Sequence, residues 1–155
     1  VGDGPLRESL EALPRPMNLS IDFLGRKTHE ELRSIYANSG ILAFPTLADE
    51  WGLVVNEAMA AGLPVLGSLY SGAVEELCTD EKTGWTFLPN DEGSTLQAID
   101  AALNCSQAKL HAMRIRCRHR VSEITPQGCA KLLADAIWDV MKQRKEGVDR
   151  GSVRS

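Results

Sequence analysis

The sequence is poor in aromatic residues and in cysteine, and the pattern of its cysteines argues against a zinc site and against a disulfide-stabilised fold. Aromatic residues make up 5% of the 155 residues, and only 4 residues are cysteine. None of the cysteines belongs to a CxxC pair, so we expect no zinc site. A chain of this length builds its core without disulfide staples, and the sequence therefore predicts buried, reduced thiols.

Long apolar runs and a strong net charge are also lacking. No run reaches the roughly 20 apolar residues of a membrane-spanning helix. The net charge of −4 gives no reason to expect a nucleic-acid partner. The chain begins at Val1 with neither an initiator Met nor a signal peptide, and we interpret it as a fragment or processed product of a cytoplasmic protein. Its composition, 43% hydrophobic and 25% charged, is that of an ordinary globular domain.

Short apolar runs alternate with helical patterns along the chain. The expected strands are Leu19–Leu24, Ile41–Phe44, Pro64–Leu66 and Trp85–Leu88. The expected helices are Thr28–Asn38, Leu53–Ala61, Ser71–Cys78, 91–104, 107–122 and 126–145. Alternation of this kind predicts an α/β fold, a Rossmann-like doubly wound parallel sheet, over residues 1–146, with a mobile tail at 147–155.

The two ends of the chain carry further expectations. Val1 has the character of the last residue of a strand, and Pro5 suits the first position of a helix. The last predicted helix has an amphipathic stripe of Leu132, Leu133, Ala136, Ile137, Val140 and Met141. Packing of this stripe on its own domain is the favoured interpretation, and docking on a partner domain outside the chain is the alternative.

One acidic residue is anomalous. The predicted helix Leu53–Ala61 is apolar on nearly every side, which predicts burial, yet it contains Glu57. A buried carboxylate needs partners, so a core glutamate paired with an arginine or backbone amides is as good an interpretation as a binding residue. The run Ile41–Phe44 is uninterrupted, as expected of a strand buried on both faces.

The loop before this helix favours binding. Asp49–Gly52 lies between a predicted strand and the helix, and ligands of open α/β sheets bind at that edge. A helix start offers amides to a diphosphate, and Gly52 permits close approach. Asp49 and Glu57 flank this start, and carboxylates accept hydrogen bonds from sugar hydroxyls. The spacing fits a nucleotide sugar, which has a ribose, a diphosphate and a second sugar in a row.

Most of the first ninety residues resemble a known family. The matching segments are GDGP at 2–5, FLG at 23–25, HEEL at 29–32, YA at 36–37, FPT at 44–46, DEWGLVVNEAMA at 49–60, AGLPV at 61–65, Glu75 and TG at 83–84. The chain is similar to the C-terminal donor domain of family-four, glycogen-synthase-like retaining glycosyltransferases, which have the GT-B fold. This resemblance implies sugar transfer from a nucleoside diphosphate sugar in polysaccharide or glycoconjugate synthesis, without a metal or other cofactor.

The resemblance also implies residue roles. Asp49 would be catalytic and contact the donor sugar, and Glu57 would hold the ribose. The other implied donor-binding residues are Gly2, Gly4, Arg26, Lys27, Glu50, Trp51, Gly52, Leu53 and Val54, with Arg26 and Lys27 beside the base. For these two the alternative is a solvated turn, and for Gly2 and Gly4 it is helix capping. Two positions depart from the family: Asp49 replaces a glutamate, and Ser71 stands where relatives often have the first of two glycines.

The resemblance further implies that the chain lacks parts of an enzyme. An upstream Arg and Lys that neutralise the diphosphate and an N-terminal acceptor-binding domain would lie outside it, so we expect this fragment alone to be inactive. A non-catalytic nucleotide-sugar-binding module and a sugar-nucleotide epimerase of the same fold remain alternatives. A basic cluster, Arg114, Arg116, Arg118, His119 and Arg120, predicts a solvated helix face, with contact to an anionic inner membrane face as the alternative.

Overall fold

The computed structural model describes residues 1–78 and 82–151, with side chains as far as Gln143. The chain divides into a first unit, Val1–Gly40, and a second unit, Ile41–Ser155. The first unit contains α1 (Arg7–Glu11) and α2 (His29–Ala37). The elements of the second unit, in chain order, are β1 (Leu42–Phe44), α3 (Leu53–Ala61), β2 (Val65–Ser68), α4 (Gly72–Leu77), β3 (Gly84–Phe87), α5 (Glu92–Leu103), α6 (Gln107–Val121) and α7 (Pro126–Gly151).

The second unit is built on a three-stranded parallel sheet in the order β1-β2-β3. Adjacent residues of β2 point to opposite faces of the sheet. Val65 belongs to a core cluster with α3 and α4, whereas Leu66 packs against a second cluster with β3 and α5. Helices therefore cover both faces, which confirms the predicted doubly wound α/β fold.

Helix α6 contributes to both clusters. Its Met113 lies with Trp85 and the alanines of α5, and its Cys117 and Val121 lie with α3 and α4. Burial was wrongly expected of two of the four free thiols, because Cys105 is only partly buried and Cys129 is exposed. Cys78 and Cys117 are buried, as expected, and burial raises the pKa of Cys78 to about 12 and that of Cys117 to about 11. These thiols are packing groups of the core.

Two predicted strands are corrected. Leu19–Leu24 forms no strand, and two carbonyls in and beside this segment, those of Phe23 and Gly25, accept hydrogen bonds from residues near the start of the chain. Arg7 Nη2 donates to the Phe23 carbonyl at 3.1 Å, and the Gly2 N–H donates to the Gly25 carbonyl at 2.8 Å. The strand expected within Ile41–Phe44 forms as β1, but it is not buried on both faces, since Ala43 is exposed.

The termini differ from expectation as well. Val1 is not in a strand, and α1 begins at Arg7, two residues beyond Pro5, which lies in the preceding turn. All side chains of α7 from Cys129 to Gln143 are exposed, including Trp138, so the favoured packing of this helix on its own domain is wrong. Residues 147–151 continue α7, residues 152–155 of the predicted tail lie outside the described residues, and the 1–146 domain boundary stays a prediction.

Candidate functional site

The loop Asp49–Gly52 lies beyond the carboxyl ends of two parallel strands. β1 ends at Phe44 and β2 at Ser68, and the chain beyond each strand meets in an isolated parallel bridge between Asp49 and Ser71. The Asp49 N–H donates to the Tyr70 carbonyl at 3.0 Å. The predicted position at the C-terminal edge of the sheet is confirmed, and this is the edge at which open α/β sheets bind ligands.

Hydrogen bonds hold the loop from inside and from outside. Asp49 Oδ1 accepts from the Trp51 N–H at 3.1 Å, which closes a turn of the loop on itself. The Trp51 carbonyl accepts from Ser71 Oγ and from the Ala73 N–H, each at 2.7 Å. One carboxylate oxygen of Asp49 therefore shapes the loop, in addition to the donor contact implied by the resemblance.

Gly52 is the residue through which the loop enters α3. It has φ +94°, a conformation that side chains other than glycine's rarely adopt. A Cβ at this position would lie 2.8 Å from Ser71 Oγ and 3.1 Å from Phe44 Cε1. No side chain in the described part of the chain caps this end of α3, and the first amides of a helix have no partners within it. The end is therefore suited to an anion.

The side chains around this helix start are largely open to solvent. Trp51 is exposed and its Nε1 donates to Asn56 Oδ1 at 2.8 Å, while Leu53 is 71% exposed. The expectation of a largely buried Glu57 is wrong, because this residue is exposed. Leu53 and Glu57 are four residues apart and share the outer face of α3, whose core contacts come from Val55, Ala58 and Met59.

The remaining predicted site residues lie in the first unit. Gly2 has φ +114° and bonds to Gly25, and the Gly4 N–H donates to Asp3 Oδ1 at 3.0 Å. Both glycines line an open cleft of about 580 Å³ between α1 and residues 21–24. Arg26 is exposed. Gly2 and Gly4 each thus make a hydrogen bond within their own unit.

Lys27 already has a partner within its own unit. Its Nζ lies 2.9 Å from Glu31 Oε1, and Glu31 also accepts from the Thr28 N–H in the predicted capping box, which is confirmed. The Thr28 backbone N–H, followed by Lys27, lowers the pKa of the Glu31 carboxyl to about 2. Any contact of Lys27 with a base would compete with this ion pair.

Two arginines of the basic cluster on α6 bond to the C-termini of other helices. Arg118 Nη1 donates to the Ala61 carbonyl of α3 at 3.5 Å, and Arg120 Nη2 donates to the Glu76 carbonyl of α4 at 2.7 Å. Arg120 also lies 3.5 Å from the Glu76 carboxylate. Cations are favourable at the negative ends of helix dipoles, so these two side chains have a structural task.

The described residues form neither a metal-binding cluster nor a membrane-spanning helix. Within residues 1–78 and 82–151, no group of three or more His, Cys, Asp and Glu side chains is arranged to hold a metal ion. Across that part of the chain, no helix combines the length and apolar character needed to cross a bilayer.

Sequence comparison identifies related proteins. Residues 1–120 match the model of the family described as glycosyl transferases group 1. The chain is 38% identical over 93 residues to the sulfoquinovosyl transferase SQD2 of Arabidopsis thaliana, covering 59% of this chain and 18% of that protein. It is 26% identical over 129 residues to the putative colanic acid biosynthesis glycosyltransferase WcaL of Escherichia coli, covering 78% of this chain and 32% of that protein.

Solved structures agree with this relationship. Sucrose-phosphate synthase from Thermosynechococcus elongatus superposes with a TM-score of 0.63 at 26% identity, covering 79% of this chain and 30% of that one. WaaG, a glycosyltransferase involved in lipopolysaccharide biosynthesis, has the same fold with a TM-score of 0.54 at 21% identity, over 63% and 26% of the two chains. The chain thus spans about a third or less of these relatives. With most of its length matched by the family model and its GT-B fold shared with these enzymes, the chain belongs to the group 1 glycosyl transferases.

Proposed function

We propose that this chain is the donor-binding domain of a retaining glycosyltransferase that transfers a sugar from a nucleoside diphosphate sugar. The observation that carries the proposal is the start of α3. Gly52 leads into it at positive φ, no described side chain caps it, and it lies at the carboxyl edge of a parallel sheet. Such a helix start binds a diphosphate through its amides and its dipole.

The carboxylates around this start suit the remaining parts of the donor. Asp49 and Glu50 precede the helix and are exposed, so they are available to the hydroxyls of the transferred sugar. Glu57 is exposed about a turn and a half into α3, where it would accept hydrogen bonds from the ribose. The exposure of Glu57 supports this role, because its carboxylate is accessible to a ligand that binds at the start of α3.

The reaction proposed for the donor is a substitution at the anomeric carbon of its sugar. The bond between the anomeric carbon and the diphosphate oxygen breaks, and a bond to the acceptor oxygen forms on the same face. The acceptor proton passes to the leaving phosphate. The α3 amides stabilise the negative charge that develops on that phosphate, so no metal ion is required for this part of the stabilisation.

The rest of the proposed enzyme lies outside the described structure. We propose that another part of the full-length protein binds the acceptor and that the exposed apolar stripe of α7, which includes Leu132 and Trp138, docks on it. The name of WcaL places that relative in colanic acid biosynthesis, which favours a polysaccharide or glycoconjugate acceptor. Location in the cytoplasm, with peripheral membrane contact through the α6 cluster, stays a prediction, and the contact is less favoured because Arg118 and Arg120 bond to helix ends.

The test is a panel of nucleoside diphosphate sugars titrated by calorimetry against the full-length protein, followed by product analysis. We expect one donor to bind and its sugar to appear on an acceptor with the same anomeric configuration, established by NMR. Binding without any product would favour a non-catalytic module. Conversion of the donor into an isomeric nucleotide sugar in the absence of an acceptor would favour an epimerase.

A further inference from the structure

Ser71 occupies the first position before α4 but does not cap that helix. Serine at an N-cap ordinarily accepts a hydrogen bond from the second or third amide of its own helix. Here the side chain makes no such bond, although it is only 1% exposed. Its hydroxyl instead donates to the Trp51 carbonyl at 2.7 Å, across to the loop before α3. The buried Ser71 hydroxyl therefore bonds to the loop of the candidate site instead of to its own helix.

The Trp51 carbonyl takes over the capping of α4. It accepts from the Ala73 N–H at 2.7 Å, which is the second amide of that helix. The loop also approaches α4 so closely that a Cβ on Gly72 would lie 2.5 Å from the Glu50 carbonyl oxygen. The start of α4 and the loop Asp49–Gly52 are thus interlocked through backbone groups, and Ser71 supplies the side-chain bond of this contact.

This bond fixes the orientation of one peptide group. The described residues contain no cis peptide bonds, and in a trans peptide the carbonyl and the N–H point in opposite directions. Because the Trp51 carbonyl is held towards Ser71 and Ala73, the Gly52 N–H is turned away from α4. Ser71 Oγ also lies against Gly52, at 2.8 Å from the position of a Cβ on that residue, which restrains the peptide from its other end.

We propose that Ser71 is a positioning residue for donor binding: its hydroxyl locks the Trp51–Gly52 peptide so that the Gly52 amide joins the first amides of α3 as a donor to the diphosphate. The proposal rests on the proposed function. It also gives a physical role to a buried serine whose hydroxyl does not cap its own helix.

The test uses Ser71→Ala and Ser71→Gly in the full-length protein. Each variant is expected to weaken binding of the nucleoside diphosphate about fivefold and to raise the donor KM by a similar factor, with kcat nearly unchanged. The reason is that a mobile Trp51–Gly52 peptide would weaken contacts to the diphosphate equally in the ground state and in the transition state. Amide hydrogen exchange across residues 49–54 is expected to accelerate in both variants.

Thr83→Val is the matched control. Thr83 is also buried, and its hydroxyl donates to the Leu77 carbonyl at 2.9 Å, before β3 and so at the opposite edge of the sheet. This variant is expected to lower stability while leaving nucleoside diphosphate affinity and loop exchange unchanged. Equal effects of Thr83→Val and Ser71→Ala on affinity would mean that Ser71 acts through overall stability, and would overturn the proposal.

The remaining outcomes separate the two proposals. If the unsubstituted protein binds nucleoside diphosphate and both Ser71 variants bind it equally well, the positioning role is wrong and the proposed function stands. If Ser71→Gly binds more tightly, the positioning role is also wrong. If the unsubstituted protein binds no nucleoside diphosphate, the proposed function fails, and with it the positioning role of Ser71 in donor binding. Unchanged amide hydrogen exchange across residues 49–54 in Ser71→Ala would in that case also show that the Ser71 hydroxyl does not hold the loop.

Discussion

Gly52 and the ring of Phe44 are in contact distance across the edge of the sheet: a Cβ on Gly52 would lie 3.1 Å from Phe44 Cε1. The last residue of β1 thus forms one wall against the residue that begins α3. Together with φ +94° at Gly52, this contact leaves room for hydrogen alone. The backbone path into the helix depends on glycine for two independent reasons, conformation and space.

We therefore expect Gly52→Ala to impair both stability and binding. The strained φ and the crowded Cβ should lower the free energy of unfolding by about 1–3 kcal/mol. Displacement of the loop should weaken nucleoside diphosphate binding about tenfold or more. Thermal unfolding and calorimetry measure the two effects. Gly40→Ala, whose Cβ would meet nothing within 4 Å, is the control. Equal behaviour of the two variants would contradict the importance assigned to Gly52.

The two flanking carboxylates should separate sugar binding from nucleotide binding. Glu57→Gln is expected to weaken nucleoside diphosphate and nucleotide sugar alike, by about 1.5–3 kcal/mol, since both ligands have the ribose. Asp49→Asn should spare the diphosphate and lower turnover of the nucleotide sugar about tenfold. The amide oxygen of asparagine can still accept from the Trp51 N–H, so this change removes charge and preserves the turn. Calorimetry and steady-state rates measure the difference.

Glu50→Gln is the control for the choice between neighbouring carboxylates. If it produces the sugar-specific loss and Asp49→Asn does not, then Glu50 is the residue that contacts the donor sugar. Asp49→Ala removes the turn as well as the charge and is expected to impair both ligands. Weakening of the diphosphate by Asp49→Asn as strong as that of the sugar nucleotide would contradict the role given to Asp49.

Much of the fold was predictable because its signals are local. Thr28 followed by Glu31 predicts a capping box, and Gly62 after an apolar segment predicts the end of a helix; both are present, Gly62 with φ +86°. The position of Asp49–Gly52 followed from the order of strand, loop and helix alone. The resemblance to the family is confirmed by the match over residues 1–120.

The wrong predictions concern which neighbours a helix packs against, because the pattern of residues along one segment does not contain that information. The apolar composition of α3 predicted burial of Glu57, but the helix packs on the core through the face of Val55 and Met59 and leaves the face of Glu57 open to solvent. The stripe on α7 has the periodicity of a core helix, and its partner is absent from the described contacts of the chain. In the sequence, Ser71 stands out only through the resemblance, as a departure from a family glycine. Its hydrogen bond to the Trp51 carbonyl joins residues 20 positions apart and is seen only in the structure.

The capping box should make the first unit sensitive to acid. The pKa of Glu31 is lowered to about 2 in the folded state from an ordinary 4.5, so its stabilisation is present above pH 4.5 and is lost as the pH falls towards 2. Glu31→Gln keeps an oxygen for Thr28 but has no charge for Lys27. We expect it to be less stable than the unsubstituted protein at pH 6 and to approach it near pH 2. Far-ultraviolet circular dichroism melts over this range measure the difference, and a gap that is constant with pH would contradict the assignment.

Finally, the arginines of α6 can be sorted by what their guanidinium groups contact. Arg120→Ala removes a 2.7 Å bond to the C-terminal carbonyl of Glu76, and Arg118→Ala removes a longer contact with Ala61. A cation at a helix C-terminus contributes about 0.3–1 kcal/mol, so we expect small losses of stability, larger for Arg120→Ala and reduced by salt. Arg116 is exposed on the same helix, and Arg116→Ala is the matched control, expected to change stability by less than about 0.5 kcal/mol. Urea unfolding at low and high salt measures these differences, and vesicle sedimentation with anionic lipid tests the alternative role. If all three variants keep full stability and each reduces vesicle binding equally, the cluster serves a membrane surface and the helix-capping role is wrong.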